Sequence, residues 1–243
     1  MPRIQEYEDT DLQVLDSFQP QDHLHPDFWD RMGHLDTGVR DDLMEIARDF
    51  WDSVKIDAPI LDVLFTGSLA NLNYSAYSDI DLHILVDLSQ VSGSMDLIKD
   101  YLQTKKNLWN KKHDINIKGF PVEIYTQDIQ EPAVSTGIYS VLNDTWVVKP
   151  TAGVFHPDMP EVKTKTEALM AEIDAIISRG GPEDVDDFMA KLKRMRAAGL
   201  QSGGEASPEN LAFKAIRRNG YLQKLSDFES QSYDLSKSIP KSE

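Results

Sequence analysis

Leu64-Phe65-Thr66-Gly67-Ser68, followed by Ser78-Asp79-Ile80-Asp81-Leu82-His83, is the stretch on which the fold turns. The apolar run Ile60–Phe65 predicts a buried strand that ends at Gly67-Ser68. A glycine there lets the backbone approach a ligand closely. Leu69-Ala70-Asn71-Leu72 is positioned to open a short helix. Its free N–H groups, with the Ser68 hydroxyl, would make a phosphate seat. A second strand is expected over Asp79–Val86. Its alternation puts Asp79 and Asp81 on one face and Ile80, Leu82 and Ile84 on the other. Two carboxylates so placed repel each other, and a cation would relieve them. With oxygen ligands and no cysteine in the chain, the hard ions Mg²⁺ or Mn²⁺ are the expected occupants.

Holding two such ions takes a third carboxylate, and Val122-Glu123-Ile124 offers one. Val122 and Ile124 belong to the core, so Glu123 projects from the other side. If its strand lies beside Asp79–Val86, three acids converge near Ser68, with Asp114 or Asp128 as substitutes for Glu123. Two cations ~4 Å apart would then clamp an attacking hydroxyl and a nucleoside triphosphate for in-line phosphoryl transfer. Ser78 either orients Asp79 or caps the start of the strand. His83 shares Asp81's face, hydrogen-bonded to a neighbouring acid or reaching a metal-bound phosphate. Tyr74 and Tyr77 fit base stacking and packing equally well.

Gly67-Ser68, then Asp79-x-Asp81, then Val122-Glu123-Ile124, in that order, resembles the polymerase-β-like nucleotidyltransferase superfamily. The resemblance covers residues 58–150. The whole chain also looks like nucleotidyltransferases that tailed phages encode, an impression resting on Gly204-Glu205 to Arg218. The family implies a small mixed sheet flanked by helices. It further implies Asp79 and Asp81 as ligands of both metals, Glu123 as ligand of the catalytic one and an aid to deprotonating the acceptor, and Gly67 and Ser68 as the triphosphate seat. Many members carry an Arg soon after Gly-Ser, where this chain has Leu69-Ala70-Asn71. Here too the third acid is Glu rather than the commoner Asp.

Outward from this centre, Asp36 or Thr37 to Val54 shows a helical stripe of Leu43, Ile46, Ala47, Phe50, Trp51 and Val54. Before it runs an acidic lead-in that packs through Phe28 and Trp29. Met95–Lys112 reads as a helix with Leu97, Tyr101, Leu102, Leu108 and Trp109 available for packing. Residues 115–117 and 122–124 read as strands turning at Gly119, and Val141–Lys149 as one more strand. Glu161–Ser178 and Asp184–Ala198 are expected helices, Gly199–Gly204 a joint, and Ser207 the N-cap of a last helix to about Phe228. Lys214, Arg217 and Arg218 share an edge of that helix. They either supply positive charge to the triphosphate or acceptor, or belong to a soluble helix that pairs with the acidic N-terminal segment. The expected class is therefore α+β: an acidic lead-in and helix over 1–57, a mixed-sheet nucleotidyltransferase core over 58–150, and a helical C-terminal part over 151–243.

The chain of 243 residues carries a net charge of −16, of which −10 lies in residues 1–57, −4 in 58–150 and −2 in 151–243. Such an excess repels phosphate backbones, which favours a small molecule or a protein over nucleic acid as acceptor. The lack of cysteine excludes disulfides and thiolate catalysis. With no apolar run in the opening MPRIQEYEDTD and none later long enough to span a bilayer, a cytoplasmic protein away from membranes is expected, in the host cytoplasm if viral. Three functions compete: nucleotidyl transfer from an NTP such as ATP to a hydroxyl, a non-catalytic nucleotide-binding or virion-assembly module, and metal-dependent phosphodiester hydrolysis.

Overall fold

A computed structural model describes residues 12–132 and 135–239. The chain is α+β, with a six-stranded mixed sheet and, among the described residues, six α-helices. Its described residues divide into two contact units, one within 19–154 and the other made of 12–18 together with 155–239. These boundaries differ from the compositional ones at 57 and 150, because the acidic lead-in from residue 19 and its helix pack on the sheet.

In the sheet unit, the strands are β1 (Asp62–Thr66), β2 (Ile80–Val86), β3 (Asn116–Ile117), β4 (Phe120–Asp128), β5 (Ile138–Ser140) and β6 (Thr145–Val148). They lie in the order β3-β4-β2-β1-β5-β6. β2 and β4 are parallel, and the other neighbours are antiparallel. A parallel pair needs a long crossover, here containing α2 (Met95–Lys112). Strict alternation along β2 buries Ile80, Leu82, Ile84 and Val86 and leaves Asp81 and His83 half-buried on the other face. Lys118 (φ 53°) and Gly119 (φ 88°) turn the chain from β3 into β4.

α1 (Thr37–Val54) starts where its N-cap Asp36 accepts a hydrogen bond from the Val39 N–H at 3.0 Å. It buries Val39, Leu43, Met44, Ala47, Phe50, Trp51 and Val54, with Ile46 partly buried beside them. Phe28 and Trp29 are core residues of this unit. Trp29 stacks on Trp146 at 4.6 Å and on Phe65 at 5.6 Å, and its indole N–H donates to Leu69 O at 2.8 Å. Burying a side chain such as Phe28 contributes about 2–3 kcal/mol.

α2 departs from the expected packing. Its buried residues are Ile98 and Leu102, whereas Leu97 and Leu108 are 69% and 60% exposed. Phe50 receives Trp109 edge-on at 5.5 Å. The single strand expected over Val141–Lys149 is a turn followed by β6. The short strand before it, β5, was not expected; it is fixed by pairing with β1 rather than by its own pattern.

The other unit is helical: α3 (Met159–Arg179), α4 (Glu183–Gly203), α5 (Pro208–Arg218) and α6 (Tyr221–Lys237). Asp158 and Ser207 cap α3 and α5 through N–H groups of Glu161 and Asn210. The core joins Met170, Ile173, Phe188, Leu192, Ala212, Ile216 and Leu225. Two expectations are corrected here. Gly199 is helical rather than part of a joint, and it is glycine because a Cβ would stand 2.6 Å from the Glu209 Cβ. The helix expected from Ser207 to Phe228 is broken at Gly220, whose left-handed φ of 76° ends one helix and starts the next. No helix among the described residues is long and apolar enough to cross a membrane.

Candidate metal centre

Asp79, Asp81 and Glu123 each offer a carboxylate oxygen, and these oxygens all lie within 4.8 Å of one another. The sheet register explains the convergence. β4 runs parallel to β2 with Glu123 beside Asp81, so both side chains leave the same face. Asp79 immediately precedes β2, two residues from Asp81, and is half-buried like its two partners. Neither Asp114 nor Asp128 joins them. Asp114 is exposed and bonds to Asn116, while Asp128 is buried at the end of β4 and accepts from the Gln130 N–H.

The other side of the acid pair is closed by the Gly67 turn. Thr66 pairs with Asp81, which sets Gly67 against the Asp81 carboxylate. A Cβ on Gly67 would overlap Asp81 Oδ2 outright and stand 2.9 Å from its Cγ. The residue also has φ 78° and ψ −164°, a conformation essentially restricted to glycine. The close approach that the glycine permits is thus first to Asp81. Beyond it, the expected helix is a single 3-10 turn, Ser68–Ala70, too short for a macrodipole of consequence. An anion there would be met by the Ser68 hydroxyl and individual N–H groups.

Ser78 is buried and ties the two halves of the motif together. Its hydroxyl bonds to that of Ser68 at 2.8 Å and accepts from the Ser75 N–H at 2.9 Å. These contacts make it a brace at the start of β2.

Two residues that the sequence reading passed over complete the surroundings. Tyr125 donates its hydroxyl to Glu123 Oε2 at 2.6 Å. Burial first, then the bond to Glu123, push this phenol above its ordinary value of 10. Lys106, on α2, sits 4.0 Å from the centroid of the Tyr125 ring. Burial draws its pKa down, against the upward pull of Glu123 and Asp81. A sequence signal existed for Tyr125, which strand alternation places on Glu123's face. None marked Lys106, one lysine among several on α2.

His83 bonds to Gln127 at 2.8 Å rather than to an acid, and its ring lies 5.0 Å from that of Tyr125. Burial holds it below the usual 6.5. Tyr74 packs in the core against His25 at 4.8 Å, and Tyr77 is 53% exposed.

Lys214, Arg217 and Arg218 lie on α5 in the helical unit, not the sheet unit. Arg218 donates to Ser17 Oγ at 2.7 Å and covers the Phe18 ring at 4.7 Å, both in its own unit.

A cavity of about 200 Å³ borders Lys106 and Tyr125 and is also lined by Lys99, Gln103, Thr126 and Asp128. A roomier one of about 570 Å³, lined by Trp29, Arg31, Leu72 and Lys149 among others, includes none of the three acids.

Three carboxylates with no cysteine or histidine among them suit a hard divalent cation held by oxygen. The glycine cradle that seats Asp81 fits the same purpose. No protein-family model, no curated protein and no solved structure matches the chain.

Proposed function

We propose that this chain is a metal-dependent nucleotidyltransferase of the polymerase-β-like type, moving a nucleoside monophosphate from an NTP to a hydroxyl and releasing pyrophosphate. The observation that carries the reading is the meeting of Asp79, Asp81 and Glu123 beside the Gly67-Ser68 turn. Mg²⁺ or Mn²⁺, when bound, would neutralise charge on the attacking oxygen and on the departing pyrophosphate. Asp79 and Asp81 would hold the ions, with Glu123 on the one nearer the acceptor. The acceptor oxygen forms a bond to the α-phosphorus as the bond to the bridging oxygen breaks. The acceptor's proton goes to a carboxylate oxygen of the group that no metal occupies.

Ser68 would hold a phosphate oxygen, its hydroxyl aligned by Ser78. Lys106 is a cation on the acid side of the sheet and would offset part of the triphosphate charge that the absent arginine leaves. The chain's acidity favours a small molecule or a protein as acceptor.

The test is incubation with α-labelled NTPs, Mn²⁺ or Mg²⁺ and fractionated cell extract, with pyrophosphate followed in parallel. Label transfer with stoichiometric pyrophosphate, lost in Asp81→Asn, is the expected outcome. NTP binding without any divalent-ion dependence would refute the proposal and favour a non-catalytic module. Diester cleavage without pyrophosphate would refute it in favour of hydrolysis.

A further inference from the structure

The surroundings of Glu123 carry a statement about which ion the centre accepts, resting on the reading of the three acids as cation ligands. Glu123 is not a carboxylate with two open oxygens. Its Oε2 accepts the Tyr125 phenol at 2.6 Å. The backbone between the two residues is clamped: Asn110 of α2 donates to Ile124 O at 3.3 Å and accepts from the Ile124 N–H at 3.2 Å. The Tyr125 ring is itself covered by Lys106 at 4.0 Å.

We propose that Tyr125 is a positioning residue that restricts Glu123 to one metal-facing oxygen, Oε1, and thereby makes the centre prefer Mn²⁺ and Mg²⁺ over Ca²⁺. The physical reason is coordination number. Ca²⁺ gathers six to eight oxygens and commonly takes a carboxylate through both, whereas Mg²⁺ is satisfied by six in a tighter octahedron. Mn²⁺ likewise suits an octahedron of oxygens. A glutamate with one oxygen committed to a phenol serves the octahedral ions and leaves Ca²⁺ short of a ligand. Lys106 acts differently. Its charge interacts with Glu123 and Asp81, so it opposes any bound cation without regard to the geometry the ion prefers.

The experiment titrates the full chain calorimetrically with Mn²⁺ alone and with Ca²⁺ alone, folding being checked by circular dichroism. In Tyr125→Phe, Oε2 is released and Glu123 is less firmly held, so the ratio of Mn²⁺ to Ca²⁺ affinity falls by about tenfold. Tyr125→Met serves if the phenylalanine variant does not fold. Lys106→Met keeps the phenol bond, so both affinities rise by a similar factor and the ratio stays. An unchanged ratio in the Tyr125 variants, or equal weakening of both ions, overturns the proposal. Failure of the unaltered chain to bind either ion overturns the metal-centre reading itself, a result separable from the role of Tyr125.

Discussion

Replacing Gly67 with alanine tests the geometry of the centre more directly than removing an acid does. Two costs follow from the structure. The backbone at φ 78° and ψ −164° is nearly closed to a residue with a Cβ, which costs about 1–3 kcal/mol. The new methyl would also overlap Asp81 Oδ2 and stand 2.9 Å from Cγ, where ordinary contact begins at 3.4 Å. Asp81 must therefore leave its preferred rotamer, at a cost of about 0.5–1.5 kcal/mol. Together these lower stability by about 1.5–4.5 kcal/mol, a fall in melting temperature of roughly 3–18 °C. With Asp81 displaced, Mn²⁺ affinity should drop about 10–100-fold.

Thermal melts with and without Mn²⁺, and calorimetric titration, read both quantities. The double variant Gly67→Ala/Asp81→Ala separates the two costs. Most of the steric part goes with the carboxylate, leaving only the Asp81 Cβ at 3.3 Å, while the backbone part stays, so the pair should couple by about 1 kcal/mol. Should Gly67→Ala melt with the unaltered chain and bind Mn²⁺ equally well, the reasoning about the turn is wrong.

Three further outcomes are expected. Asp79→Asn removes one of the three carboxylates that converge at the candidate centre. The stabilisation by Mn²⁺, about 2.7 kcal/mol at a hundredfold excess over Kd for the unaltered chain, should vanish in that variant. Asn110→Ala strips both hydrogen bonds from Ile124 and should cost about 1–3 kcal/mol, with faster amide exchange at Ile124 under native conditions. His25, packed against Phe28, Tyr74 and Phe120, is held below 6.5 mainly by burial, with Asp27 opposing and His23 assisting. The unfolded chain then takes up its proton first, so stability is complete above pH 6.5 and falls as the pH drops below it. Denaturant melts between about pH 5 and pH 8 should show this slope flattened in His25→Leu.

The legible parts of the fold were those where local pattern and tertiary packing agree. Period-two alternation in Ile80–Val86 and the helical stripe of Leu43, Ala47, Phe50 and Val54 each state their own buried face. The same logic brought Asp81 and Glu123 to one side of the sheet, where the register sets them in adjacent positions. What escaped was set by distant partners. β5 is three residues long and is defined by Leu64 and Phe65 across the sheet. Gly199 looked like a hinge but is a close contact with Glu209, visible only once α4 and α5 are packed. Gly220 did carry a signal, an Asn-Gly pair inside a helical pattern, and it is the place where the helix turns over. In α2 the apolar residues outnumber the places available, so Leu97 and Leu108 could not be told from Ile98 and Leu102 by pattern. Lys106 escaped for a related reason. Its meaning comes from the Tyr125 ring, supplied by a strand beyond the helix.

The side-by-side placement of Asp81 and Glu123 on parallel strands has a consequence for biogenesis. Parallel neighbours cannot be joined by a hairpin, so the two carboxylates are separated by all of α2 and the chain on either side of it. A ribosome that has released β1 and β2 has produced two of the acids and no pocket for an ion. On the proposed reading, cation capture would await the arrival of β4 beside β2, so the ion would reward only chains whose parallel pair has already assembled.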